Sequence, residues 1–363
     1  MKLIAQVKLV CTDEQHHALL KTLETVNDAA NHISERAWET KTFRQYDLHH
    51  LLYYDLRSQF SLTAQIVVRV LAKVADAYKL DRITQRTFNR RGSIAYDKRI
   101  LSWRLDEHTV SIWTLAGRLR IPFVAGERQL AMLQTLAGET DLVFRDGEFY
   151  LFQTCEVEEP PPGDPSEFLG IDLGIVNIAA DSEGVVYSGG QVNGLRKRHA
   201  KLRSKLQTKG TKQAKRLLKK RSKKEGRFAT HVNHVIAKSV VAKAKDSGQG
   251  IALEDLTGIR DRITVRRSQR RQHHSWAFNQ LRSFIQYKAK IAGVLVKLVD
   301  PRNTSRTCPE CGFVSKSNRK SQSVFSCVFC GYSALADTVA AVNIGRRAAV
   351  NQPNFSPTLV GVG

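Results

Sequence analysis

The sequence predicts an α/β chain in several parts: a small β-barrel interrupted by a helical domain, then a larger α/β domain with a four-cysteine insertion. Three observations lead there. Apolar residues recur at helical spacing from residue 12 to about 80, between stretches with the two-residue alternation of strands. The stretch Phe168–Asp181 is a nearly unbroken apolar run interrupted by Asp172. Cys308-Pro-Glu-Cys311 and Cys327-Val-Phe-Cys330 form two CxxC knuckles separated by 15 residues.

The 363 residues are enough for two or three domains, each with its own core. Against 34 Asp and Glu stand 57 Lys and Arg, a formal charge of +23 that points to a polyanionic partner, nucleic acid first and an anionic membrane second. No run of about 18 apolar residues suits a membrane span, and the N-terminus lacks the apolar core of a signal peptide. A soluble, intracellular protein is expected.

In chain order, residues 2–10 alternate, with Leu3, Ala5, Val7 and Leu9 on one face of a strand. Thr12-x-x-Gln15 is a capping-box signature for the helix that follows. Leu19, Leu23, Val26, Ala30, Ile33 and Ala37 give that helix one apolar face. Leu48–Arg57 and Thr63–Lys79 repeat the pattern, the second burying Val67, Leu71, Val74 and Tyr78. Arg82, Arg86, Arg90 and Arg91 make a basic end suited to phosphate or to solvent. Short strands are expected at Ile100–Leu105, Thr109–Leu115, Arg118–Phe123 and Leu142–Val157, the last broken by an Asp146-Gly147 turn, with a helix over Arg128–Leu136. Together with residues 2–10 they make the barrel, and Pro160–Gly163 is a stiff linker after it.

The apolar run at Phe168–Asp181 reads as a strand buried on both faces. A carboxylate there needs a cation or hydrogen bonds, because desolvating it costs several kcal/mol or more. Asp172 alone is equally well a metal ligand or a strand-end cap. Two further carboxylates sit at the edges of apolar elements: Glu254 closes the short strand Ile251–Leu256, and Asp337 starts a helix of small residues. Three such groups gathered at one end of a sheet can bind two magnesium ions about 4 Å apart, an arrangement that cleaves phosphodiesters. Gly170 and Gly174 flank Asp172 and permit close approach of backbone or ligand.

Between these elements, Arg196–Arg227 holds 16 Lys or Arg and one acid, Glu225. A solvated helical face ordinarily mixes signs, so this density favours nucleic-acid contact. A helix follows at His231–Lys245, then the Glu254 strand. Gly258–His274 is a second basic segment, with Arg266, Arg267, Arg270 and Arg271, expected to form a loop beside the acidic site. A helix over Ser275–Ile291 and a strand over Val294–Val299 lead into the cysteine knuckles. Cys308, Cys311, Cys327 and Cys330 have the spacing of a tetrahedral zinc site, and a glycine follows each pair, suiting the tight turn that aims amides at sulfur. Cys11 and Cys155 read as small buried hydrophobes, and the His273-His274 pair lacks complementary ligand spacing.

With these residues laid out, the sequence resembles the TnpB family, transposon-encoded RNA-guided nucleases related to type V CRISPR effectors. The matching stretches are Val7-Lys-Leu with Thr12-x-Glu-Gln15, Gly170-Ile-Asp-Leu-Gly174, Leu253-Glu-Asp-Leu256 and Ser275-Trp276, then Gln286-Tyr-Lys-Ala289, Val299-Asp-Pro-Arg-Asn-Thr-Ser305, and the cysteine knuckles followed by Asp337. The resemblance is strong over 168–345, recognisable at 1–20 and weak between.

It implies a RuvC, that is RNase H-like, nuclease fold over 166–304 and 333–350, with a zinc insertion at 305–332. A wedge-like β-barrel would occupy 1–11 and 93–160, a helical recognition domain 12–92, and a polar tail 351–363. Asp172, Glu254 and Asp337 would hold two catalytic Mg2+ ions, and the four knuckle cysteines one structural Zn2+. The activity implied is cleavage of double-stranded DNA beside a short flanking motif, directed by a structured guide RNA from the transposon end. One protein per guide RNA is expected, in a prokaryotic cytoplasm, nucleoid-associated when bound to DNA, with no membrane partner. A guided repressor with little catalysis and an RNase H-like transposase are the alternatives. The chain departs from the family in one place: Val339 stands where Asn is usual, two residues after Asp337. That position faces away from Asp337 on a helix, so changed packing is expected there rather than lost metal binding.

Overall fold

The computed structural model describes residues 1–256 and 278–350. The basic segment Gly258–His274, the His273-His274 pair, Ser275-Trp276 and the tail from residue 351 lie outside the described residues. The chain divides into two compact units, Met1–Glu158 and Glu159–Gly363.

In the first unit, β1 (Lys2–Leu9) buries Ala5, Val7 and Leu9. The capping box then forms as written in the sequence. Thr12 Oγ1 accepts from the Gln15 amide at 3.3 Å while Gln15 Oε1 accepts from the Thr12 amide at 3.1 Å, starting α1 (Asp13–Thr40). All six apolar positions expected on α1 are buried, and the helix packs on α2 (Gln45–Phe60) and α3 (Ala64–Leu80). Seven strands follow the order β2-β6-β7-β1-β5-β4-β3. Of these, β2 (Ile94–Tyr96) carries no long pattern and escaped the sequence reading, whereas β3 (Leu101–Arg104), β4 (Thr109–Thr114) and β5 (Gly117–Val124) fall where alternation placed them. Helix α4 (Glu127–Leu133) ends sooner than expected, because Leu136 already opens β6 (Leu136–Arg145). Asp146 and Gly147, both at positive φ, turn the chain into β7 (Glu148–Glu156). The sheet curls until Tyr96 Oη on β2 donates to the Trp113 carbonyl on β4 at 3.1 Å, giving a near-closed barrel.

Three of the four arginines at the end of this helical part serve the unit itself. Arg86 pairs with Asp81 at 2.8 Å, Arg90 with Asp28 at 3.3 Å and Arg91 with Glu24 at 2.9 Å. Their partners lie up to 67 residues away in sequence, which is why a local reading left them between phosphate and solvent.

In the second unit the apolar run around Asp172 is two strands. β8 (Phe168–Asp172) and β9 (Asn177–Asp181) pair antiparallel, with Asp172 opposite Ala180. The single strand expected over Phe168–Asp181 is corrected by the turn at 173–176, closed by the Gly174 amide donating to the Ile178 carbonyl at 3.3 Å. Uniform hydrophobicity hides such a turn, because both strands are buried. β10 (Val186–Ser188) extends this meander. Helices α5 (Gly190–Lys209), α6 (Lys212–Arg221) and α7 (Lys224–Asp246) then lead to β11 (Gly250–Glu254). α8 (Phe278–Ala292) packs on α7 and leads to β12 (Val296–Val299). The sheet order is β10-β9-β8-β11-β12, with β8, β11 and β12 parallel. The far end of Pro160–Gly163 is anchored here, since the Gly163 amide donates to the Gly293 carbonyl at 3.1 Å.

Last come the hairpin β13 (Val324–Ser326) and β14 (Ser333–Leu335), and α9 (Ala336–Val350), which lies directly on β8. A Cβ on Gly170 would stand 1.9 Å from the Ala341 carbonyl oxygen and 2.5 Å from the Gly345 nitrogen; one on Gly345 would stand 2.6 Å from the Phe168 carbonyl oxygen. Helix and strand backbones touch at this crossing, so only glycine fits on either side. Gly170→Ala should therefore destabilise the second unit by about 3 kcal/mol, the upper range for overpacking. A urea-unfolding midpoint equal to that of the unsubstituted protein would show that the helix is not seated so closely.

Candidate carboxylate and cysteine site

The parallel register of β8 and β11 sets Ile171 opposite Leu253, so Asp172 and Glu254 emerge one residue later at neighbouring strand ends. Asp337 joins them from the first turn of α9. Each carboxylate is half-buried, and each feels the others or a nearby cation. Desolvation pushes the Asp172 carboxyl up to about 7, and the negative charges of Glu254 and Asp337 push in the same direction. Glu254 is raised as well, chiefly by burial, against the opposing pull of a hydrogen bond from Thr304 and the positive charges of Arg347 and Arg319.

Several partners of the trio carried no signal in the sequence. Thr304 Oγ1 donates to Glu254 Oε1 at 2.6 Å, Asn177 Nδ2 donates to Asp337 Oδ2 at 2.8 Å, and Arg319 lies 3.7 Å from Asp337 Oδ1. Thr304 belongs to the stretch quoted above for the family resemblance, but its target lies 50 residues away. Arg319 is one cation among several between the knuckles. Asp172 feels the charges of both Glu254 and Asp337, so the three expected carboxylates lie near one another, though less tightly than the four cysteines described next. Their all-oxygen donor set and only partly compensated negative charge fit hard divalent cations.

The four cysteines gather separately. Cys308 and Cys330 sulfurs lie 3.6 Å apart, as do those of Cys311 and Cys327, and all four fall within 4.8 Å of one another. A tetrahedron with metal–sulfur bonds of about 2.3 Å has edges of about 3.8 Å, so this cluster can bind a metal ion. Among the described residues it is the only group of His, Cys, Asp or Glu drawn together so tightly. Of the remaining cysteines, Cys155 is fully buried and Cys11 half-buried, with its thiol pushed up to about 11 by burial. Val339 is buried among Cys308, Phe325, Cys327 and Ala336, so it packs α9 against the knuckles.

Fold and site thus define a class: a strongly basic α/β chain that gathers three carboxylates at the end of a mixed sheet, beside a four-cysteine cluster. Two family models match within the second unit and its approach, "Probable transposase" over residues 152–257 and "Cas12f1-like, TNB domain" over residues 278–344. The chain is 34% identical over 152 residues to TnpB-like protein MJ0751 of Methanocaldococcus jannaschii, covering 42% of this chain and 54% of that protein. It is 30% identical over 186 residues to the CRISPR-associated endodeoxyribonuclease Cas12f1 of Syntrophomonas palmitatica, covering 47% and 36%. It is also 30% identical over 221 residues to the putative RNA-guided DNA endonuclease InsQ of Escherichia coli, covering 54% and 53%. The chain thus spans about half, or less, of the length of these curated relatives. Among solved structures, the mini-RNA-guided endonuclease CRISPR-Cas phi3 shares the fold, with a TM-score of 0.59 at 11% identity over 97% of this chain and 93% of that one. Over parts of its length the chain is thus similar to TnpB-like and Cas12f proteins.

The carboxylate site makes stability depend on pH with a definite sign. The folded state holds the Asp172 proton more tightly than the unfolded chain does, so without divalent cations stability falls as pH rises from about 4 towards 7. Asp172→Asn should raise the metal-free melting temperature at pH 8 by several degrees, at about 2–4 °C per kcal/mol for a unit of this size, and leave it nearly unchanged at pH 4. Added divalent cation should stabilise the unsubstituted protein at pH 8, and the same substitution should abolish that gain. Scanning calorimetry showing equal effects at both pH values would contradict this account. Cys308→Ser should cost several kcal/mol and release the metal bound by the cysteines, read out by elemental analysis and denaturation.

Proposed function

We propose that this protein is an RNA-guided DNA endonuclease of a transposable element, with a RuvC-like, RNase H-like catalytic domain. The observation that carries the proposal is the convergence of Asp172, Glu254 and Asp337 at the ends of β8, β11 and the start of α9. The sheet order, an antiparallel meander followed by two parallel strands, supports the RNase H-like reading. The printed names of the relatives, an endodeoxyribonuclease and a putative RNA-guided DNA endonuclease among them, support the activity.

In this reading Asp172, Glu254 and Asp337 hold two Mg2+ ions, and Cys308, Cys311, Cys327 and Cys330 hold a structural Zn2+. Bound magnesium supplies Lewis acidity at the scissile phosphate and a water acidic enough to attack near neutral pH. The chain's own residues fix the geometry. Asn177 orients the Asp337 carboxylate, Thr304 orients Glu254, and Arg319 balances the charge of Asp337 while the site is being filled. Asp172 feels the charges of both other carboxylates, so it belongs with them to the set that would hold the metal.

Residues 1–11 with 93–160 serve as the wedge-like domain and 12–92 as the recognition domain, with the RuvC-like part at 166–304 and 333–350, the zinc insertion at 305–332 and a tail at 351–363. The partners are a structured guide RNA from the transposon end, one per protein, and a double-stranded DNA target in the prokaryotic cytoplasm and nucleoid. Helices α5 to α7 supply the basic surface. Their one acid over Arg196–Arg227, Glu225, is shared by Arg196 and Arg203 at 3.5 and 3.8 Å, leaving most of the 16 cations without an acid from the segment.

Expression with the native flanking DNA, followed by sequencing of the RNA that copurifies, should yield one defined species ending beyond the element's boundary. Directed by that RNA, the protein should cut matching DNA. Asp172→Ala should abolish cutting with target binding retained, and Thr304→Ala should slow it about 10–100-fold, as the loss of a ligand-orienting hydrogen bond does. Heterogeneous RNA together with strand-transfer products would instead favour the RNase H-like transposase, which the "Probable transposase" match keeps as the second reading.

A further inference from the structure

Two threonine hydroxyls among the described residues are buried without a hydrogen-bond partner, those of Thr63 and Thr338. Thr338 stands next to Asp337 in the first turn of α9, beside the carboxylate site. Other helical threonines of this chain bond the carbonyl four residues back: Thr22 to Ala18 at 2.8 Å, Thr40 to Arg36 at 2.8 Å and Thr208 to Ser204 at 3.0 Å. Thr338 comes too early for that bond. Four residues before it stands Ala334, in strand β14, so α9 has no carbonyl of its own to offer there.

Helix periodicity and the crossing on β8 place this side chain. Thr338 and Gly345 are seven residues apart, so two helical turns bring them to within about 20° on one side of α9. On that side a Cβ at Gly345 would stand 2.6 Å from the Phe168 carbonyl oxygen, and one at Gly170 would stand 1.9 Å from the Ala341 carbonyl oxygen. From Phe168 to Gly170 the strand thus passes from Gly345 towards Ala341, against the direction of the helix. Two residues further, Asp172 lies towards the first turn of α9. A helical Cα–Cβ bond tilts towards the helix N-terminus, so Thr338 is aimed at that same end of the strand.

The other polar groups of the neighbourhood are committed. Asn177 Nδ2 donates to Asp337 at 2.8 Å, Thr304 Oγ1 donates to Glu254 at 2.6 Å, and Asn343 holds the carbonyls of Thr304 and Thr307. A buried hydroxyl without a bond costs free energy that a matching partner recovers. No side chain of the described residues supplies that partner.

We infer that Thr338 is a positioning residue of the cation site: its hydroxyl oxygen accepts a hydrogen bond from the hydration shell of the divalent ion held by Asp172, Glu254 and Asp337. The inference rests on the cation-site reading above and adds to it one polar contact made through water. Magnesium keeps several of its waters when carboxylates bind it, and the ion polarises them into strong donors. A hydroxyl that serves the ion and one that serves the fold respond to deletion with opposite signs. Deleting the first relieves the metal-free protein of an unsatisfied group, whereas deleting the second breaks a bond.

The test uses the full chain with its cysteine cluster kept zinc-loaded, and Mn2+ as the probe, an ion suited to carboxylate and water ligands rather than thiolate. Thr338→Val keeps the shape and deletes the hydroxyl; titrated by calorimetry at pH 8, it should bind Mn2+ about 10- to 100-fold more weakly than the unsubstituted protein. Its metal-free melting temperature should be unchanged or higher. Thr338→Ser keeps the oxygen and should keep the affinity. Equal affinity in Thr338→Val, or a loss in Thr338→Ser as large as in Thr338→Val, would overturn the inference. A lowered metal-free melting temperature in Thr338→Val would assign the hydroxyl to the fold and overturn it whatever the affinity does. Mn2+ uptake that is absent, or insensitive to Asp172→Asn, removes the cation site itself and this inference with it. Uptake that needs Asp172 but is indifferent to Thr338→Val removes the role of Thr338 alone.

Discussion

The contact between Gly170 on β8 and Gly345 on α9 sets the geometry on which the rest of the second unit depends. With any larger residue at either place the helix would ride farther from the sheet. Seated as it is, α9 brings Asp337 from its first turn to the strand ends that carry Asp172 and Glu254. The same helix reaches outward along its length. Asn343 Nδ2 donates to the carbonyls of Thr304 and Thr307, both at 2.8 Å, Arg346 bonds the Pro309 carbonyl, and Arg347 bonds that of Arg302 at 2.9 Å. Thr304, placed in this way, turns its hydroxyl to Glu254. One close helix–sheet crossing therefore fixes a carboxylate directly, a second through Thr304, and the base of the cysteine knuckles through Val339.

Two carboxylates of this sheet show what compensation looks like and what its lack implies. Asp181, fully buried at the end of β9, accepts from the amides of Glu183 and Val185 and from Lys243 Nζ at 2.6 Å. Every element of its surroundings neutralises or solvates it, and it ties the β9–β10 turn to α7. Asp172, at the end of the adjacent strand, has the charges of Glu254 and Asp337 instead, relieved by Arg319 and one backbone hydrogen bond. Removing charge from water without such compensation is costly. The fold builds a full set of partners for one aspartate and leaves its neighbour short of them, which supports the cation site proposed above.

Much of this was legible in the sequence wherever the signal was local. The capping box at Thr12 and Gln15, the apolar face of α1 and the knuckle spacing each involve residues a few positions apart, and short-range geometry settles them. The acidic trio could also be found, because a charge at the edge of an apolar strand is conspicuous wherever its partners lie. What could not be read was any pairing across the chain. The turn at Gly174 vanished inside a uniformly apolar run. Arg86, Arg90 and Arg91 looked available because Asp81, Asp28 and Glu24 gave no sign of their proximity. Thr304, Asn177 and Arg319 are ordinary residues until the fold sets them beside Glu254 and Asp337.

That difference changes how the charge of +23 is understood. Taken as a total it describes a protein attracted to polyanions everywhere, yet Arg86, Arg90 and Arg91 after α3 are committed to carboxylates of their own unit. Helices α5 to α7 are not balanced in this way, since Glu225 is the single acid among the 32 residues from Arg196 to Arg227. Exposed pairs contribute little to stability, so the first group costs the fold almost nothing to keep. The second group is different in kind: like charges on adjacent helical turns repel, and that repulsion falls when phosphates condense along them. These energetics support the nucleic-acid contact proposed for the segment, independently of any motif it contains.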